Sequence, residues 1–325
     1  MGAYGIKVFR MKLFSEDLGE IKSDEALEVL KVKYSQYDPG YICQSAYVLR
    51  ASTKKWLEMM WKIYQPYADF HFLTEFKRQF SQRSWELYLG VTLIRHGYDL
   101  EKGSGNGPDF KIKNKDRIVW IEAVSVTKGR GEDKVPETKY NVVSSIPTEE
   151  MLLRISKGLD DKFTKYKKYL NEMVSKDDPF VIALDRSELE HLDAMMPNIL
   201  KVAFGIGHFT YHVKPGEVNL KKAETSWSVM IEIQKKNGKK IPTAFFLNKA
   251  HSGVSAVIYS KDSIINSPRG PKQMGENLVT VHNPNATNPL PHNFFKFGEE
   301  YSLNEDYIER VRKHKRFQRP NPFRF

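Results

Sequence analysis

The chain has 325 residues, 40% hydrophobic and 12% aromatic, enough to bury a core and too apolar for a disordered protein. Its net charge of +11 points to a polyanionic partner: nucleic acid, an acidic membrane surface or an acidic protein. Cys43 is the only cysteine, which excludes an internal disulfide framework and a cysteine-rich metal site.

In chain order, YGIKVFRMKLF reads as a strand, SDEALEVLKVKY as a short helix capped by Ser23, and STKKWLEMMWKIYQPY as a helix stopped by Pro66. The opening lacks the apolar centre of a signal peptide, and Ile6 stands where myristoylation wants Ser or Thr. A stronger helix is predicted from Glu75 to His96, with Phe76, Phe80, Leu87, Val91 and Ile94 on one face and Gly97 as its cap. A short strand, YDLEKG, leads to a turn cluster and then a hairpin, Asn106 to Val126, followed by the polar loop GRGEDKVPETKY. A long helix is expected from Thr148, as its cap, to Met173, with Glu149 and Glu150 in the first turn. FVIALD, TAFFLNK, SAVIYS and NLVTVHN read as further strands. From Arg310 to the end there are seven Lys or Arg and no acid. No stretch approaches the roughly 18 apolar residues of a membrane span. The expected protein is cytoplasmic, with no membrane partner. Its expected organisation is an accessory region at 1–74, an α/β (α+β) core at 75–300 and a basic tail at 301–325.

The hairpin carries the chemistry. Alternation puts Ile118, Trp120, Glu122, Val124 and Val126 on one face of its second strand, and Val119, Ile121, Ala123 and Ser125 on the other. Both faces are largely apolar, as in an interior strand. A carboxylate at Glu122 is expensive there unless a cation or hydrogen-bond donors neutralise it. Asp109 precedes the partner strand and is brought alongside Glu122 by the hairpin. Two carboxylates at close range repel, and a divalent cation such as magnesium or manganese resolves the repulsion. Glu86 sits at the edge of the apolar stripe of the preceding helix.

The order helix Glu86, then PDF at 108–110, then IEAV at 121–124 resembles the PD-(D/E)XK nuclease superfamily, the restriction-endonuclease-like fold. The resemblance runs from about Glu75 to Asp185, a third of the chain. It implies a central mixed β-sheet flanked by helices, here with N- and C-terminal additions. It further implies a Mg2+ (or Mn2+) ion held by Asp109, Glu122 and the Ala123 carbonyl, with Glu86 assisting, and hydrolysis of nucleic-acid phosphodiester bonds, DNA above all, by a possible homodimer.

One position departs from the pattern. The motif lysine, two residues after the glutamate, is Val124. On the long helix Leu152, Ile155, Leu159, Phe163, Tyr166 and Leu170 form the stripe, and Lys162 lies roughly 60° from its centre, nearer than Arg154, Lys157, Lys165 or Lys168. Lys162 is therefore the expected replacement, with Lys111 and Lys113 next. Lys111, Lys113, Lys128 and Arg130 are the expected nucleic-acid contacts. Two alternatives stay open: a catalytically inactive nuclease-like fold serving as a nucleic-acid or protein binding module, and a plain salt bridge from Glu122 to Lys162 or Arg154. His282 and His292 have no recognised metal spacing and read as parts of a turn-rich loop.

Overall fold

The computed structural model describes residues 11–312 and 323–324, apart from 102–104, 115–116, 139–140, 171, 214–222, 267 and 306. Helices α1 (Asp24–Lys33), α2 (Pro39–Ala46), α3 (Ala51–Tyr64), α4 (Phe72–Phe76) and α5 (Phe80–Arg95) come first. Strands β1 (Asp99–Glu101), β2 (Phe110–Asn114) and β3 (Arg117–Ser125) then form a meander. Helix α6 (Thr148–Tyr169) crosses over to β4 (Phe180–Asp185), which pairs parallel with β3. The chain continues through α7 (Asn198–Phe204), β5 (Ile206–His212), β6 (Glu224–Val229), β7 (Glu232–Gln234), β8 (Lys240–Pro242), β9 (Ala256–Ser260), β10 (Leu278–His282), β11 (Glu299–Asn304), β12 (Tyr307–Arg312) and β13 (Phe323–Arg324).

The main sheet has the order β1-β2-β3-β4-β9-β10-β11-β12-β13, with parallel pairs at β3/β4, β4/β9 and β10/β11 and antiparallel pairs elsewhere. Helices cover both faces, so the protein is a mixed α/β structure in three layers. Val119, Ile121, Ala123, Ala183 and Ile258 face the helices of the N-terminal half; Trp120, Ile182, Leu184, Tyr259 and Tyr301 face α6 and α7. Every residue of β4, β9 and β10 is buried, which is why these strands read as continuous apolar runs. None of the helices among the described residues is long and apolar enough to cross a membrane.

Several local expectations change. The helix expected over Glu75–His96 is two helices, broken at 77–79. Asp38 causes the break: its N–H donates to the Lys77 carbonyl at 2.7 Å, and its carboxylate accepts from the Phe80 N–H at 3.3 Å. Helix α5 is also buried almost all round from Ser84 to Leu93, so its stripe understated its depth. Thr148 is the first helical residue of α6 and not its cap. TAFFLNK forms no strand, because the Phe245 and Phe246 N–H groups donate to the Val202 and Ala203 carbonyls at the end of α7. Most of YGIKVFRMKLF lies outside the described residues; Leu13 and Phe14 are irregular and donate to the Glu58 carboxylate at 3.2 and 2.8 Å. Residues from Leu13 to Phe76 share one apolar core with α5 and the sheet, and β11 runs from Glu299 to Asn304. Residues 313–322 of the basic end lie outside the described residues.

Candidate active site

Antiparallel pairing of Phe110 with Ile121 places Asp109, one residue earlier, opposite Glu122, one residue later. Asp109 is half-buried, and its Oδ2 accepts the Ala123 N–H at 2.7 Å. Glu122 is 1% exposed and points to the α6 side of the sheet. There α6 comes unusually close. A Cβ on Gly158 would lie 2.7 Å from Val126 Cγ1 and 3.3 Å from Leu184 Cδ1, so only glycine lets the helix settle on β3 and β4 at that turn. One turn later Lys162 Nζ lies 2.6 Å from Glu122 Oε1. Lys165 Nζ reaches the same oxygen at 3.1 Å, and the Tyr169 hydroxyl donates to Oε2 at 3.4 Å.

On the other side of the sheet α5 supplies three polar groups. Glu86 is 2% exposed; Oε1 accepts from the Tyr64 hydroxyl at 3.0 Å, and Oε2 pairs with Arg83. Arg83 also binds Glu75, and Asp69 at 3.2 Å. Gln82 acts as a substitute strand: its Nε2 donates to the Ala123 carbonyl at 3.2 Å, and its Oε1 accepts the Ser125 N–H at 2.8 Å. The Ala123 carbonyl therefore already receives one donor, which leaves it a second lone pair.

The electrostatics follow from crowding acids into a dry place. Burial, then repulsion from Glu122, raises Asp109 to about 6 against the pull of Lys162 and the Ala123 N–H. Burial, then the charge of Asp109, raises Glu86 to about 8 although Arg83 and Tyr64 oppose it. Burial alone would lower Lys165, yet Glu122 outweighs it and the net shift is upward. Burial and Glu122 push Tyr169 up to about 12.

Asp109, Lys162 and Lys165, with Arg78, Gln82 and Arg83, line a cavity of about 460 Å³, and Glu122 and Glu86 are buried behind it. A neighbouring cavity of about 830 Å³, lined by Lys128, Arg130 and Arg154, shares Asp38, Ser81, Thr127 and Glu188 with it, so the two form one continuous groove.

Asp109, Glu122 and Lys162 thus meet, with Glu86 within electrostatic reach of Asp109. Lys111 and Lys113 do not join them. Both pair with Glu101 on β1, at 2.7 and 2.8 Å, because the register sets Glu101 opposite Lys111 and Lys113 lies two residues along on the same face. Lys128 is held by Glu137 and, at 2.7 Å, by Glu190, while Arg130 is exposed in the groove. Arg154 donates to the Thr127 carbonyl at 2.8 Å and takes no part in the Glu122 ion pair. Sequence reasoning missed Gln82, Arg83 and Tyr169, and ranked Lys165 below Lys162. Their signal was spacing: Gln82 and Arg83 lie one turn before Glu86, and Lys165 and Tyr169 one and two turns after Lys162. Compared with protein-family models, with curated proteins and with solved structures, the chain matches none.

Proposed function

We propose that the protein is a metal-dependent nuclease that hydrolyses nucleic-acid phosphodiester bonds, with a restriction-endonuclease-like core running from α5 to β4. The observation that carries the reading is the Lys162 ammonium 2.6 Å from Glu122, beside Asp109, in a groove. The lysine missing at Val124 is replaced from the facing helix.

The donor set suits magnesium or manganese. Asp109 and Glu122 are hard oxygen donors; burial and then their repulsion raise Asp109, and a divalent cation held by both would relieve that repulsion. When bound, the ion supplies a polarised water and charge neutralisation at phosphorus. The Ala123 carbonyl offers its second lone pair to the same ion. Lys162 is held at the groove wall by Glu122 and places positive charge where a phosphoryl oxygen gains negative charge. Lys165, about half exposed, and Arg78 give the groove a cationic lining for the phosphate backbone. Glu86, raised to about 8 by burial and then by Asp109, holds a proton behind the groove, where Tyr64 and Arg83 occupy its oxygens.

The test is cleavage of plasmid, single-stranded DNA and RNA with Mg2+ or Mn2+, using wild type, Asp109→Ala and Glu122→Ala. Metal-dependent cutting that both substitutions abolish is expected. Cutting that survives both refutes the site.

A second reading is favoured by one observation. Val124 is partly buried against the α6 side, and the Lys162 charge is already matched by Glu122. On this reading the fold binds nucleic acid without cutting. Tight, salt-sensitive binding with no cleavage by any form is its signature.

A further inference from the structure

The β10–β11 crossover builds a second polar cluster, away from the groove. Strand β10 ends at His282 and β11 begins at Glu299, parallel to it, with Thr280 paired to Glu300. His282 lies two residues beyond Thr280, so His282 and Glu300 share one face of the sheet. Both are buried, and His282 Nε2 lies 2.7 Å from Glu300 Oε1. The connecting segment brings a third group back to them. Asn293 takes a left-handed conformation, φ +58°, which asparagine tolerates better than most residues. Its N–H donates to both Glu300 oxygens, at 2.8 and 3.0 Å. That anchor holds the adjacent His292 with Nδ1 3.4 Å from Glu300 Oε1. The imidazole rings of His282 and His292 lie 4.8 Å apart between centroids, inclined at 62°.

We propose that His282, His292 and Glu300 form a binding site for one divalent transition-metal ion of the zinc class. The three candidate ligand atoms lie within 4.8 Å of one another. Zinc–ligand bonds of roughly 2.0–2.2 Å at tetrahedral angles separate neighbouring ligand atoms by about 3.4 Å, and His292 Nδ1 stands at that distance from Glu300. Two imidazoles and one carboxylate favour zinc, cobalt or nickel over magnesium, which prefers oxygen alone. The present His282–Glu300 hydrogen bond is what such a pair makes before metal entry; binding displaces the proton between them. With His292 about half exposed, the remaining coordination positions face solvent and are open to water or an anionic ligand. The ion would also tie the 283–298 segment to the sheet by a bond independent of its backbone contacts.

Chelator-treated full-length protein is titrated with Co2+, followed by its visible absorption, and with Zn2+ by calorimetry. The expected result is one tight site that gives a Co2+ spectrum of imidazole and oxygen ligation and raises the melting temperature. This site should persist in Asp109→Asn, which disables the groove alone. His292→Ala removes an exposed side chain and leaves the buried pair in place. It should weaken binding by more than the roughly 10–100-fold that loss of an outer partner costs. Glu300→Gln should abolish binding if it folds, and His292→Ala decides the matter if it does not. No stoichiometric binding, binding unchanged in His292→Ala, or binding lost in Asp109→Asn instead would each overturn the proposal.

Discussion

Lys162→Met separates a catalytic lysine from a structural ion pair. The methionine keeps the stem's volume and removes only the charge. Lys162 is 11% exposed and Glu122 1% exposed at their side chains. Removing one partner of such a buried pair ordinarily costs about 3–5 kcal/mol, because it strands the other charge. Here the stranded charge keeps company: Lys165 remains 3.1 Å from Glu122 Oε1 and the Tyr169 hydroxyl 3.4 Å from Oε2. Being half exposed, Lys165 cannot match the lost pair in full, since ion pairs near solvent contribute about 0–1 kcal/mol. The expected destabilisation in urea is therefore about 1–3 kcal/mol, less than a stranded carboxylate would give. The loss of metal-dependent cleavage should be far larger, about 10²–10³-fold in rate, the effect of deleting one preorganised charge at a reacting centre. Both quantities are measured at a temperature where both proteins are folded. Cleavage within about threefold of wild type, alongside the expected stability loss, would show that Lys162 only neutralises Glu122.

Three further outcomes follow from the site. Asp109 at about 6, Glu86 at about 8 and Asp185 at about 6 all hold protons in the folded chain at pH values where unfolded carboxyls have lost them, burial being the largest cause in each case. The folded state then binds more protons than the unfolded one, so stability falls as pH rises from about 4 to 8. Glu86→Gln should flatten the part of this fall between about 4.5 and 8, read from urea midpoints at pH 5 and pH 8; an unchanged slope would refute the Glu86 assignment. Mg2+ should raise the melting temperature more at pH 8 than at pH 5.5, where Asp109 keeps a proton the ion must displace, and Asp109→Asn should erase the effect. Gly158→Ala sets a helix gain of about 1 kcal/mol against about 1–3 kcal/mol of overpacking on the buried Val126 and Leu184. A net loss of about 1 kcal/mol is expected, with weaker cleavage as α6 lifts Lys162 from Glu122; higher stability with full activity would refute the close-approach argument.

What was legible in the sequence was local, and what was hidden was brought together by register. Strand parity put Glu122 on one face with Trp120, Val124 and Val126, and pairing within one hairpin put Asp109 opposite it; both need only neighbouring residues. The helical angle singled out Lys162 correctly but ranked Lys165 too low. An angle measures where a Cα points, and a four-carbon stem sweeps across the gap to the same oxygen. The angle also left Glu86 at a stripe edge, because it assumes one wet face, and α5 has almost none. Gln82 gave no strand signal, since its side chain, not its backbone, fills the ladder positions at Ala123 and Ser125. The His282–His292–Glu300 cluster shows the limit most sharply. The three residues are separated by a turn-rich segment and meet only because β10 and β11 run parallel with Thr280 beside Glu300. The proposed exchange of Val124 for Lys162 is intermediate between these cases. The vacancy at 124 was visible in sequence, and so was the candidate on α6. The link between them was not: Gly158 lets the helix descend onto Val126 and Leu184, and that descent turns a lysine 40 residues from Glu122 into its partner.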